Sequence, residues 1–158
     1  MSKLSAKQEQ ELMTEIWSPN ISDDLLNFVM FMFPWGKAGT PLANQTGPRA
    51  WQREELNYIT EHIRNNKLKM ELGLKPELYR SATASGRGVG KSALVAWLVY
   101  WMMSTRIGSS TIVTANTEMQ LKTRTWAELG KWHTLAINNH WFERQAMSLK
   151  PQVWFENL

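Results

Sequence analysis

Ser85-Gly86-Arg87-Gly88-Val89-Gly90-Lys91-Ser92 sets three glycines at alternate positions ahead of a lysine and a hydroxyl. Wrapping a phosphate in backbone N–H groups requires glycine's freedom in φ/ψ, and a helix opening at the lysine adds its positive end. In this reading Gly86, Gly88 and Gly90 shape the loop, with Ser85, Arg87 and Val89 completing the cradle of amides. Lys91 reaches the β- and γ-phosphates, and the Ser92 hydroxyl is a ligand for Mg²⁺. The pattern G-x-x-x-x-G-K-[ST] is met except at its first position, where Ser85 replaces glycine, so this is a deviant Walker A loop. The competing reading is a Gly-rich turn followed by a charged residue.

The flanking residues favour the loop. Glu77 to Ala84 is short, mostly small or apolar, and follows Pro76, which suits a strand; Ser92 to Met103 is helix-forming and apolar on every face. Farther on, Thr111-Ile112-Val113-Thr114-Ala115 is a β-branched run that fits a buried parallel strand. Thr117-Glu118-Met119-Gln120 then reads as a capping box opening a helix with Trp126, Leu129, Trp132 and Leu135 at helical spacing. Strand, helix, strand, helix predicts an α/β fold: the parallel sheet of a RecA-like P-loop NTPase with flanking helices, incomplete at its end.

Two helices precede this pattern, one over 5–17 and one capped by Ser22 and stopped at Pro34, with Phe28 to Phe33 too apolar to face water. Gly36 to Gly47 lacks periodicity and reads as an irregular loop. The expected organisation is therefore a helical segment and loop over 1–46 and the front part of an ATPase domain over 47–158. Gly47-Pro48-Arg49-Ala50-Trp51-Gln52 opens a helix to about Asn65, placing Trp51 and Gln52 in its first turn. A glutamine amide there can donate to and accept from an adenine edge while the indole supplies a flat wall. A buried Trp beside a solvated Gln fits the same residues.

At 158 residues with 43% apolar content, the chain is long enough for one cored domain. Its 18 basic against 14 acidic residues permit a polyanionic partner without requiring one. The absence of cysteine excludes disulfides and thiolate metal sites, and His62, His133 and His140 lack a ligand spacing. The longest apolar run, Ala93 to Met103, is too short to span a bilayer, and the polar start is not a signal peptide. Of the nine tryptophans, Trp97, Trp101, Trp126 and Trp132 sit among apolar helix residues and are expected in the core. Hydrolysis needs a Walker B strand ending in carboxylates; the nearest stretch, Val153-Trp154-Phe155-Glu156, is a poor match. The expectation is that the chain is the front portion of a longer protein.

Taken in order, Phe31-Met32-Phe33-Pro34-Trp35-Gly36, Gly47 to Gln52, Ser85 to Ser92, and Ile112 to Asn116 with Gln120 resemble the N-terminal ATPase region of large terminase subunits, the DNA-packaging motors of tailed bacteriophages. The resemblance spans most of residues 20–158. It implies ATP and Mg²⁺ as cofactors, Trp51 and Gln52 as the adenine motif, and Arg87 with Lys91 acting on the γ-phosphate. It further implies that the Thr114 to Gln120 turn, with Lys122 and Arg124, meets DNA phosphates or couples nucleotide state to movement; a solvated helix face suits those two charges equally. The implied partners are double-stranded DNA, a small terminase subunit and a portal protein, in a homo-oligomeric ring in the host cytoplasm, without a membrane. The family's nuclease carboxylates are not in this chain. A helicase-like P-loop ATPase and a non-hydrolysing remnant serving as an interaction module remain as alternatives.

Overall fold

The computed structural model describes residues 4–156. Helix α1 (Ala6–Ile16) opens with a reciprocal cap, in which Gln8 N–H donates to Ser5 Oγ at 3.2 Å and Ser5 N–H donates to Gln8 Oε1 at 2.9 Å. A short α2 (Pro19–Ser22) leads into α3 (Leu25–Met32), whose cap is Asp24, accepting from Asn27 N–H, rather than Ser22. The Ser22 carbonyl instead receives Trp101 Nε1–H and an Arg106 N–H, which ties α2 to the far end of a later helix.

Helix α4 (Ala50–Glu71) runs past the expected end near Asn65, because Lys67 to Glu71 are good helix formers. Gly73 stops it at φ +74°. Leu74 N–H returns to the Lys69 carbonyl and Gly73 N–H to that of Met70, the paired bonds of a Schellman cap. Helix α5 (Lys91–Thr105) is apolar all round and accordingly central, with Trp97, Tyr100 and Trp101 all buried. After it come α6 (Glu118–Gln120), a π-helical turn Leu121–Trp126, α7 (Ala127–Leu135), a 3₁₀ turn Asn139–Trp141, and α8 (Val153–Glu156). Strands β1 (Phe142–Gln145) and β2 (Ser148–Pro151) form an antiparallel hairpin with Phe142 opposite Pro151.

The parallel α/β sheet is thus corrected: among the described residues the sheet is this hairpin alone, and the fold is mostly helical. Neither 77–84 nor 111–115 has a strand neighbour. Both lack regular secondary structure and are largely exposed, with Ile112 at 85%. A segment whose residues are mostly Ser, Thr, Ala and charged buries too little apolar area to hold a sheet alone. The first segment is strapped to α4 by polar contacts instead: Glu77 N–H donates to Asn66 Oδ1, Asn66 Nδ2 and the His62 ring meet the Glu77 carbonyl, and Tyr79 donates to Glu55. The Walker B candidate also changes class, since Val153–Glu156 is a helical turn whose Phe155 stacks on Trp141 at 4.8 Å.

The core joins α1 and α3 to α5 and α7. Trp97 packs edge-on to Trp132 at 5.1 Å and to Trp35 at 5.9 Å, while Phe33 meets Trp132 at 4.8 Å. Trp101 and Trp132 are buried and Trp126 is partly so, as their spacing suggests. A polar thread crosses this aromatic mass: Tyr100 donates to Asn138 Oδ1 at 2.8 Å and Asn138 Nδ2 donates to Ser104 Oγ at 3.1 Å, all fully buried. Asp23 clamps the helices from outside, paired with Lys67 and Arg106; burial alone would raise its carboxyl, but the bonds to these cations hold it below the usual range.

Asn138→Ala removes the shared partner of two buried hydroxyls and is expected to cost about 2–4 kcal/mol in urea unfolding. Burial holds the His133 imidazole below its ordinary value of 6.5, against the opposing bond to the Asn139 carbonyl. The unfolded chain takes up a proton near 6.5 that the folded ring refuses. His133's contribution is therefore fully present above that value and declines as pH falls toward its folded value. The unfolding midpoint should drop between about pH 7.5 and 5.5 more steeply in the wild type than in His133→Gln.

Candidate phosphate-binding site

Loop residues Ser85 to Ser92 line an open hollow of about 700 Å³ together with residues from three other regions. Trp35, Gln45 and Gly47 come from the loop before α4; Arg49 and Gln52 from the start of α4; Arg124, Glu128, Lys131 and Trp132 from the π turn and α7. Farther along α5, a second hollow of about 650 Å³ lies among residues such as Val99, Met103, Val113 and Leu149. It offers no comparable set of charged donors.

What shapes the loop is the first turn of α4. Arg49 Nη1 donates to the Gly88 carbonyl at 2.8 Å, Trp51 Nε1 to that of Val89 at 2.9 Å, and Gln52 Nε2 to that of Gly90 at 2.8 Å. Three successive carbonyls are thereby held toward α4. The N–H groups of Gly86 to Ser92 make no hydrogen bond to another described residue, leaving them available to an anion. Gly88 and Gly90 take φ of +73° and +89°, the left-handed region in which a side chain is strained. At Gly90 space is also short, since a Cβ would lie 2.4 Å from Gln52 Nε2.

Gln52 is 3% exposed, and both ends of its amide are engaged. Its Oε1 accepts from Arg49 N–H at 2.8 Å, half of a capping box, while its Nε2 holds Gly90. One amide proton and one lone pair are left over. Trp51 is partly buried with its indole N–H spent on Val89, and it is not part of the hollow's lining. The structure therefore brings the predicted Trp51–Gln52 pair against the loop as supports for its backbone. The aromatic rings that line the hollow are those of Trp35, Trp97 and Trp132, and Gln45 lines it too. Trp35 and Gln45 carry no sign of this in the sequence; Trp35 falls in an aperiodic Pro-Trp-Gly turn, and only the fold brings it there.

Lys91 is the first residue of α5, and its ammonium donates to the Ser85 carbonyl at 2.6 Å, closing the loop on itself. Arg87 is exposed at the rim with no carboxylate partner among the described residues. Ser92 is exposed in the first turn of α5, in the lining. Mg²⁺ fits such a place without a cage of acids, because it keeps most of its waters and binds through phosphate oxygens and few protein ligands. No group of three or more metal-binding acids or histidines occurs among the described residues. Arg49, Arg87, Lys91, Arg124 and Lys131 face Glu128 as the one carboxylate in the lining, so the hollow is strongly cationic. Of the two charges expected to meet DNA, Lys122 pairs with Glu118 at 2.6 Å, whereas Arg124 belongs to this hollow.

Comparisons with protein-family models, with curated proteins and with solved structures find no match to this chain.

Gln52→Ala leaves the Gly90 carbonyl with Leu94 N–H as its remaining donor and strips the Arg49 amide of its acceptor, and should cost about 1–3 kcal/mol in urea unfolding. Gln52→Glu keeps the acceptor for Arg49 N–H but sets a carboxylate against the Gly90 carbonyl. Amide hydrogen exchange over residues 88–92 should accelerate in both variants, and a loop unchanged in both would show that α4 does not hold it.

Proposed function

We propose that the chain is the nucleotide-binding part of a DNA-packaging ATPase of the large-terminase kind, taking ATP with Mg²⁺. The observation that carries this reading is the orientation of the Ser85–Ser92 backbone: carbonyls of Gly88, Val89 and Gly90 tied back to α4, amides left free, and a lysine and a hydroxyl at the start of α5. A hollow with five cations and one carboxylate in its lining favours a polyphosphate over a neutral or cationic ligand.

In this reading the loop amides and Lys91 hold the β- and γ-phosphates. Lys91 gives up its bond to Ser85 as the phosphate arrives. Ser92 would supply one oxygen to hydrated Mg²⁺, and Arg87, long and exposed, would close on the terminal phosphate. Trp51 and Gln52 serve by fixing the loop's shape before the ligand binds, which lowers the ordering cost of binding. ATP turnover needs a carboxylate to orient the attacking water. Binding without turnover is therefore the activity proposed for these 158 residues alone. The assembly around them (double-stranded DNA, a small subunit, a portal, a ring of copies, the host cytoplasm) follows from the sequence resemblance. It is compatible with the finding that no described helix is long and apolar enough to cross a membrane.

Calorimetric titration with ATPγS and Mg²⁺ tests the reading. The wild-type chain should bind, Lys91→Ala should bind at least about tenfold more weakly, and omission of Mg²⁺ should weaken the wild type. A wild-type chain that gives no binding heat and no change in tryptophan emission overturns it.

A further inference from the structure

Nucleotide loops of this kind grip the β-phosphate, yet the hollow carries a second set of cations from a different element. Arg124, Glu128 and Lys131 stand at positions i, i+4 and i+7, one helical face, and all three line the hollow. Arg124 lies within the π-helical turn Leu121–Trp126, a wide winding found more often at functional sites than elsewhere.

The spacing invites Arg124 or Lys131 to pair with Glu128, and neither does. Glu128 Oε1 accepts from Trp132 Nε1 at 2.9 Å, which holds the carboxylate along the helix. Lys131 rests over the Trp132 ring at 5.1 Å, and Arg124 has no hydrogen-bond acceptor among the described residues. Two cations are therefore kept beside the loop with no carboxylate paired to either among the described residues. The wall behind them includes Trp97, 2% exposed, whose indole N–H is buried without an acceptor among the described residues.

We infer that Arg124 and Lys131 read the terminal phosphate, so that the hollow takes nucleoside triphosphates in preference to diphosphates. This rests on the nucleotide reading above and adds to it the source of discrimination. Lys91 belongs to the loop and accompanies any bound polyphosphate, and Arg87 reaches the terminal phosphate from the loop's own rim, whereas Arg124 and Lys131 approach from α7 and its preceding turn as a second bank. A triphosphate extends farther from the nucleoside and carries more charge, so it gains more from a second bank of cations than a diphosphate does. Because Arg124 sits in the π turn, the same contact gives the terminal phosphate a grip on a backbone segment that α winding would reposition.

The test compares Mg·ATPγS with Mg·ADP on the full chain, for the wild type, Arg124→Ala/Lys131→Ala, Lys91→Ala, and Lys75→Ala as an exposed-charge control. The expected wild-type preference for the triphosphate is at least about tenfold. The double variant should lose roughly tenfold or more in ATPγS affinity while ADP stays within about twofold, and Lys75→Ala should match the wild type. Arg124→Lys with Lys131 intact should recover part of the preference. Both residues are exposed, so circular dichroism should show the double variant folded. Equal losses for both nucleotides, or none, would overturn the inference while leaving nucleotide binding in place. Failure of the wild type to bind either one would overturn the nucleotide reading, and this inference with it.

Discussion

Three hydrogen bonds from one helical turn to three consecutive carbonyls set the shape of the glycine-rich loop. Arg49, Trp51 and Gln52 all donate, and Gly88, Val89 and Gly90 all accept. A peptide carbonyl and the N–H of the following residue belong to one plane and point in opposite directions, so fixing the one aims the other. Glycine is needed where the backbone passes through positive φ, and the donors decide which of glycine's many conformations is kept. A buried glutamine is well suited to the work because its amide can cap α4 and hold the loop at once.

The hollow rests on the tryptophan cluster. Trp35, Trp97 and Trp132 come from a turn, α5 and α7, and their mutual packing, edge-on between Trp97 and the other two and tilted between Trp35 and Trp132, sets the distance between the loop and the α7 face. Such rings bring large buried area with few rotatable bonds, so their positions are well defined. The Tyr100–Asn138–Ser104 thread adds directional bonds to an otherwise apolar mass, fixing the turn that leads into the hairpin. Charge at the rim then falls on a framework that does not depend on it.

Local chemistry made part of this legible. The helix over 5–17, the apolar stretch 25–33, the all-round apolar α5 and the Thr117 cap follow from periodicity and capping residues, and α1, α3, α5 and α6 lie there. The loop could be located from its glycines and lysine alone. The β hairpin escaped notice because its turn, Ala146–Met147, carries no glycine or asparagine, and Ala146 itself takes φ +41°. The two expected parallel strands had the right residue types in Thr111 to Ala115, but strand formation depends on a neighbouring strand in register, which propensity does not report.

The amino-acid sequence by itself determined the elements whose causes lie within a few residues: the helices with their caps, the freedom of Gly88 and Gly90, the lysine and serine that begin α5, and the surplus of basic groups. Only the tertiary structure decided that Trp51 and Gln52 stand behind the loop, that Arg124 and Lys131 share its hollow, and that residues 77–84 and 111–115 pair with no strand among the described residues. The reason is range. Capping and periodicity act between near neighbours, whereas the bonds from α4 to the loop close over 38 or 39 residues, and their geometry is set by which aromatic faces pack against one another.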